Sequence, residues 1–393
     1  MMLLSVTNFG LSSIIICLYL HAASPQVPPF TEECVTNAYP PSSERKIPTY
    51  TVNLDLPPQE RWTDIVKEKK EGIVNLLGLI KNITGTFFHG KLIVLIDKYL
   101  PKLVHTLPYP FADELEGIAN ATNIPLGEIA LYNLIYEIFT VCTSIVAQDK
   151  QGNMYHGRNL DFGVLMGWDT KTHSWEGTQL LRKLAMNVDF QKNGKTLFRS
   201  VQFAGYVGAI TGVKPNAFTL SIDERFKLKG GYIGLIEWIL GKRSGHWMGF
   251  LARSVFENVS DYSSAQMVLA EAQLLAPVYF ILGGSSAGQG SVITRGLNDA
   301  DIWNIGTKNS TWFLVETNYD HWEKPLFIDD RRTPAIKCMN KLTQQNASLP
   351  GLFNVLSTKP VRNKLTTYTS LMQAKTGQLE SYLQYCDDPC WPF

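Results

Sequence analysis

Cys142 is followed sixteen residues later by Arg158 and three residues after that by Asp161, so a thiol, a guanidinium and a carboxylate lie within one short stretch of chain. The segment from Cys142 to Asp149 is rich in β-branched residues, Gly152 and Asn153 supply a turn, and Met154 to Asp161 reads as a returning strand. A hairpin brings its two ends together. Cys142 then starts one strand while Arg158 and Asp161 end the other, an arrangement suited to nucleophilic catalysis if the thiol is activated.

A thiol attacking an acyl group needs a base, and the seven histidines (His21, His89, His105, His156, His173, His246 and His321) show no spacing that singles one out. Cutting the chain before Cys142 supplies another base. The freed α-amine belongs to the nucleophile itself, and its reference pKa of roughly 7.7 to 8.0 suits general-base work. Asp161 is expected to orient that amine and Arg158 to favour thiolate over thiol. The plain alternative is that a lone cysteine at a strand start is a small buried hydrophobe.

The other cysteines bear on that choice. Residues 1–24 carry no charge, and the apolar run Leu11 to Leu20, followed by Ala22, Ala23 and Ser24, has the length of a signal peptide, although no Lys or Arg precedes it. Sequons at Asn82, Asn120, Asn258, Asn309 and Asn346 agree with export. Removing the leader with Cys17 leaves Cys34, Cys142, Cys338, Cys386 and Cys390, an odd number, so one thiol is unpaired by design or pairs between molecules. Cys386 and Cys390, separated by Asp-Asp-Pro, are expected to close locally. Cys34 with Cys338 is the simplest remaining pair, and Cys142 is then free.

Composition excludes little. The net charge of +1 gives no reason to expect nucleic acid, and 45% hydrophobic content over 393 residues can bury a full core. Residues 25–141 carry a net charge of −4 and residues 142–393 a net charge of +5, so two pieces divided at Cys142 attract each other weakly, unless these charges are merely a solvated surface. Before Cys142, an extended stretch at 49–56 precedes helices expected at about 63–81, 91–100, 111–121 and 125–139. After it, strands predominate at 184–190, 196–203 (joined by Asn193-Gly194), 218–222, 278–282, 291–295 and 312–316, with helices near 233–240, 248–257 and 264–275. The glycine-rich segment 283–290 lacks the Gly-Lys-Ser/Thr of a phosphate loop and reads as a hairpin loop. No metal-ligand spacing occurs and no cofactor is expected. Asn318, just past the strand at 312–316, could donate to an oxyanion, and Arg331 follows in Asp329-Asp-Arg-Arg.

Together these motifs resemble the acid ceramidase family of N-terminal nucleophile hydrolases, related to bile-salt hydrolases and N-acylethanolamine acid amidases. The resemblance is carried by Asn53-Leu-Asp-Leu-Pro-Pro58, Ile124-Pro-Leu-Gly-Glu-Ile129, Cys142-Thr-Ser-Ile-Val-Ala147, His156-Gly-Arg-Asn-Leu-Asp-Phe-Gly163, Phe203-Ala-Gly-Tyr-Val-Gly208, Thr317-Asn-Tyr-Asp320, Asp329-Asp-Arg-Arg-Thr-Pro334 and the Cys386 to Cys390 tail. It implies an αββα sandwich, with residues 25–141 as a mostly helical α subunit and 142–393 as a β subunit holding the catalytic core. Cys142 is then the nucleophile, Arg158 and Asp161 its supports, Asn318 the oxyanion donor, and Glu224 and Arg331 the rest of the polar network; Asp223 beside Glu224 competes for its place. The resemblance further implies self-cleavage before Cys142, hydrolysis of ceramide to sphingosine and fatty acid, location in the lysosome with partial secretion, and lipid delivery with a saposin-type activator. An N-acylethanolamine amidase and a catalytically silent lipid-binding glycoprotein are the alternatives.

Overall fold

The computed structural model describes residues 32–88, 100–135, 140–163, 166–226, 234, 237–238, 241, 243–307 and 312–390. The leader at 1–24, most of the helices expected at 91–100 and 233–240, and the sequon at Asn309 lie outside these residues. The strands run β1 (Thr49–Asn53), β2 (Thr140–Gln148), β3 (Met154–Phe162), β4 (Trp168–Asp169), β5 (Ser174–Trp175), β6 (Ala185–Lys192), β7 (Lys195–Phe203), β8 (Thr211–Lys214), β9 (Phe218–Glu224), β10 (Val278–Gly284), β11 (Gly290–Arg295), β12 (Ala300–Asn304), β13 (Phe313–Glu316), β14 (Thr366–Gln373) and β15 (Gln378–Leu383). The helices are α1 (Thr63–Glu68), α2 (Lys70–Phe88), α3 (Phe111–Thr122), α4 (Leu126–Ile135), α5 (Glu176–Leu184), α6 (Met248–Asn258), α7 (Tyr262–Glu271), α8 (Arg332–Leu342) and α9 (Leu349–Ser357).

Two sheets stack face to face with helices outside both, the αββα sandwich. The smaller has the order β13-β2-β3-β14-β15, the larger β1-β6-β7-β8-β9-β10-β11-β12. The expected β2–β3 hairpin is present, with Cys142 opposite Leu160 and Ser144 opposite Arg158. Its turn forms because Asp149 Oδ1 accepts from the backbone N–H groups of Gln151 and Asn153, while Gly152 takes a left-handed φ of 84° that a side chain would disfavour. The glycine-rich segment 283–290 is likewise the loop of the β10–β11 hairpin. Before Cys142 the chain is mostly helical, yet β1 pairs in parallel with β6 and completes the edge of the larger sheet.

Helices α8 and α9 cover the outer face of the smaller sheet; Ser348 caps α9 by accepting from Gly351 N–H. Helix α9 approaches β3 closely at Gly157, where a Cβ would stand 2.9 Å from the Leu356 side chain. Helix α6 packs on the outside of the larger sheet, with Phe256 stacked on Phe198 and Phe218. The helix expected at about 63–81 is broken at Lys69 into α1 and α2, and other sequence expectations shift as well. The strand expected from Leu184 begins at Ala185, because Leu184 closes the amphipathic helix α5. Helix α7 starts at its Asp261 cap and stops at Glu271 instead of continuing to Leu275, because Gln273 and Leu275 give their backbone groups to His246 and Leu274 N–H donates to Leu297. Beyond Glu316, α8, α9, β14 and β15 answer to no element expected from sequence.

Candidate active site

Alternation along β2 and β3 sends Cys142, Ser144, His156 and Arg158 into the layer between the sheets, and Asn159 and Asp161 toward α9 and the loop after it. In that layer Arg158 Nη2 donates to Cys142 Sγ at 2.6 Å and to the Ile222 carbonyl at 2.7 Å. Its Nη1 donates to the Ile210 carbonyl and to Thr211 Oγ1. The guanidinium is fully buried and spans from β2 to β8 and β9. Asp223 lies 3.6 Å from Arg158 Nη2 and accepts from Ser144 Oγ at 2.9 Å.

The main chain of Cys142 is held from a different direction. Its N–H donates to Asn318 Oδ1 at 2.7 Å, and its carbonyl accepts from Arg331 Nη1. Arg331 also donates to Asn318 Oδ1 at 3.1 Å and lies 3.5 Å from Asp161 Oδ2. Asn318 reaches this position because its backbone adopts a left-handed φ of 70°, which asparagine tolerates better than most residues. Its Nδ2 donates to the Glu224 carbonyl at 2.8 Å.

Burial is the dominant electrostatic influence. It pushes the Cys142 thiol well above its ordinary range, an effect that Arg158 opposes without overcoming. Asp161 and Asp223 are each pushed up to about 6, again by burial, with Arg331 and Arg158 respectively acting in opposition. The fully buried His156 falls to about 3; its ring nitrogens lie 2.9 Å from Thr219 Oγ1 and Ser221 Oγ. It is a neutral bridge between the sheets, in keeping with its lack of any distinguishing sequence spacing. With Val141 still joined to it in β2, Cys142 is a sealed thiol.

Arg158 touches the thiol as expected, whereas Asp161 faces the other side of the sheet and connects to Cys142 through Arg331. Arg331 therefore sits at the centre of the site. Glu224 supplies a backbone carbonyl, and the carboxylate that faces Arg158 is Asp223: adjacent strand residues point to opposite faces, so only one of the pair can enter the layer. Asn318 meets Cys142 with its amide turned away from an oxyanion donor's orientation, its oxygen toward Cys142 and its NH2 group toward Glu224. Sequence reasoning missed Ser144 and Ser221, whose hydroxyls lie 2.8 Å apart; small polar residues on inward positions of β2 and β9 were the available signal. Cys34–Cys338 and Cys386–Cys390 form disulfides and Cys142 is unpaired. Asn82, Asn120, Asn258 and Asn346 are exposed.

The model of the family described as linear amide C-N hydrolases, choloylglycine hydrolase family, matches residues 142–337, beginning at the candidate nucleophile. A second model, for the beta subunit of N-acylethanolamine-hydrolyzing acid amidase, matches residues 45–107. Sandwich, unpaired cysteine and buried arginine thus belong to an amidase of the N-terminal nucleophile type. Acid ceramidase of Bos taurus is 48% identical over 390 residues, 98% of both chains, and that of Homo sapiens is 48% identical over 374 residues, 94% of this chain and 95% of the relative. The chain belongs to the acid ceramidase family. The solved structure of the Caenorhabditis elegans N-acylethanolamine-hydrolyzing acid amidase (NAAA) ortholog matches with a TM-score of 0.52 and 33% identity, covering 62% of this chain and 100% of that one.

Proposed function

We propose that this chain hydrolyses ceramide to sphingosine and a fatty acid, after cleaving itself between Val141 and Cys142. The observation that carries this reading is the one unpaired thiol among the described residues, held at Sγ by Arg158 and at its backbone nitrogen by Asn318, in a chain 48% identical to acid ceramidases over nearly its full length. In the self-cleavage step Sγ attacks the Val141 carbonyl carbon. The C–N bond breaks to leave a thioester and a free α-amine, and water then releases the Val141 carboxylate and restores the thiol. The cut divides the chain into residues 25–141 and 142–393.

In catalysis the α-amine takes the thiol proton, and the thiolate attacks the ceramide amide carbonyl. Arg158 stabilises the thiolate, and Asn318 Oδ1 holds the amine where it held the amide N–H. Breaking the C–N bond sends the proton from the ammonium to the departing sphingosine nitrogen, and water then attacks the acyl thioester with the amine again as base. Asp161 and Arg331 fix the Cys142 main chain. For Asn318 to serve as oxyanion donor, its NH2 group must leave the Glu224 carbonyl as substrate enters.

The Cys34–Cys338 disulfide joins the two pieces after the cut. Disulfides and exposed sequons support export; action in the lysosome with partial secretion is proposed from the similarity to acid ceramidases alone. Between Asn318 and Arg331 the chain exposes Trp322, Leu326, Phe327 and Ile328, with Phe327 65% exposed, which supports substrate uptake from a lipid surface with a saposin-type activator. A second reading, hydrolysis of N-acylethanolamines, is favoured by the family match at 45–107. Purified precursor is incubated at acidic pH with labelled ceramide and labelled acylethanolamide, beside Cys142→Ala. The expected result is ceramide turnover by a protein whose larger fragment begins at Cys142, and an inactive single-chain alanine variant. Faster turnover of the acylethanolamide favours the second reading, and turnover of neither excludes both.

A further inference from the structure

Glu316 is the last residue of β13, opposite Ser144 of β2, and its side chain is fully buried. Its Oε1 accepts from the backbone N–H groups of Thr317 at 2.9 Å and Tyr319 at 3.1 Å. These two bonds bracket Asn318, the residue with left-handed φ whose side-chain oxygen meets Cys142 N–H and Arg331. The Thr317 carbonyl in the same turn accepts from Arg331 Nη2. Glu316 Oε2 has no hydrogen-bond partner among the described residues. We propose that Glu316 is a positioning residue for amide hydrolysis: its carboxyl fixes the turn 317–319 and thereby aims Asn318 at the Cys142 nitrogen. The inference rests on the amidase reading above.

The surroundings make this device pH-dependent. Glu316 interacts electrostatically with Asp223 of β9, with Tyr279 of β10 and with Arg332 of α8; Tyr279 in turn donates to Asp320, which is paired with Arg225. Burial is the main reason the Glu316 carboxyl is pushed up to about 8, and the Asp223 charge adds to it while Arg332 opposes. Below about pH 6 Glu316 and Asp223 are both neutral, and between about 6 and 8 Asp223 alone of the two is ionised, facing Arg158. Ionisation of Glu316 keeps the bonds from Thr317 and Tyr319, which favour the charged form, but places a second negative charge near Asp223 with one oxygen unsatisfied, and that buried repulsion strains the turn carrying Asn318.

Glutamine keeps the accepting oxygen and cannot ionise; leucine removes the acceptor. Protein confirmed to begin at Cys142 is assayed on labelled ceramide across pH. Glu316→Leu is expected to lose about 10²-fold in kcat with KM nearly unchanged, the scale of a small misplacement of reacting groups. Glu316→Gln is expected to restore kcat at acidic pH and to carry the alkaline limb of the profile to higher pH. A leucine variant with the parent kcat, or a glutamine variant whose alkaline limb coincides with the parent's, overturns the proposal. If leucine prevents processing, the glutamine profile decides alone. A parent inert on both amides overturns the amidase reading instead.

Discussion

Replacing Arg158 by lysine tests the nucleophile directly, because it keeps the charge and removes the fork. One guanidinium serves Cys142 Sγ and the Ile222 carbonyl through Nη2, and the Ile210 carbonyl and Thr211 through Nη1. A lysine ammonium has its three donors on one nitrogen and cannot reach both sets at once. In a buried site the carbonyl oxygens hold it, and the sulfur loses its hydrogen bond. A hydrogen bond to a charged partner contributes about 1.5 to 3 kcal/mol. At 1.36 kcal/mol per factor of ten, kcat/KM falls roughly 10- to 150-fold. The same energy moves the thiol ionisation up by about 1 to 2 pH units. The assay is the rate of iodoacetamide inactivation of processed protein as a function of pH, alongside turnover of ceramide. If turnover falls while the inactivation midpoint stays at the parent value, Arg158 acts by some route other than stabilising the thiolate.

Further outcomes follow from other contacts. Cys142 is fully buried in the uncleaved chain, so native precursor should resist a thiol reagent that processed protein takes up stoichiometrically; equal labelling of both forms refutes the sealed site. Asn318→Asp keeps an oxygen for the amine and loses the NH2 group: processing with a loss of about 10²- to 10³-fold in kcat assigns Asn318 to the oxyanion, and parental kcat assigns it to the amine. Arg253 is buried against Glu114 across the proposed cut; Arg253→Met removes its charged hydrogen bonds while Arg61 and Trp62 still hold the carboxylate, at a cost of about 1.5 to 3 kcal/mol. At roughly 2.1 cal/mol/K per residue this lowers Tm by about 2 to 4 °C; scanning calorimetry of Cys142→Ala with and without the change measures it. Glu316, raised from 4.5 to about 8, contributes stability that is full below about 4.5 and lost as pH rises through about 8. His156 opposes this only below its ordinary 6.5, so between about 6.5 and 8 the Tm of Cys142→Ala should fall, and Glu316→Gln should flatten that fall.

The sequence by itself determined the pieces whose signals are local. The β2–β3 hairpin was legible because β-branched runs flank a Gly-Asn turn, and α3 and α6 because their apolar spacing is helical. An odd number of cysteines singled out Cys142, and the disulfides agree with that arithmetic. What only the tertiary structure decided depends on contacts between segments far apart in the chain. Whether Asp223 or Glu224 faces Arg158 follows from the stacking of one sheet on the other, which adjacent carboxylates in one strand cannot reveal. Helix α7 stops short of its apolar pattern because a distant backbone claims the hydrogen bonds of Gln273 to Leu275. The role of Arg331 was open in sequence for the same reason: it touches the Cys142 carbonyl, Asp161 and Asn318 only once three separate segments meet. Glu316 marks the limit most clearly, since a glutamate ending a strand looks exposed until the second sheet buries it and raises the energy of its charge.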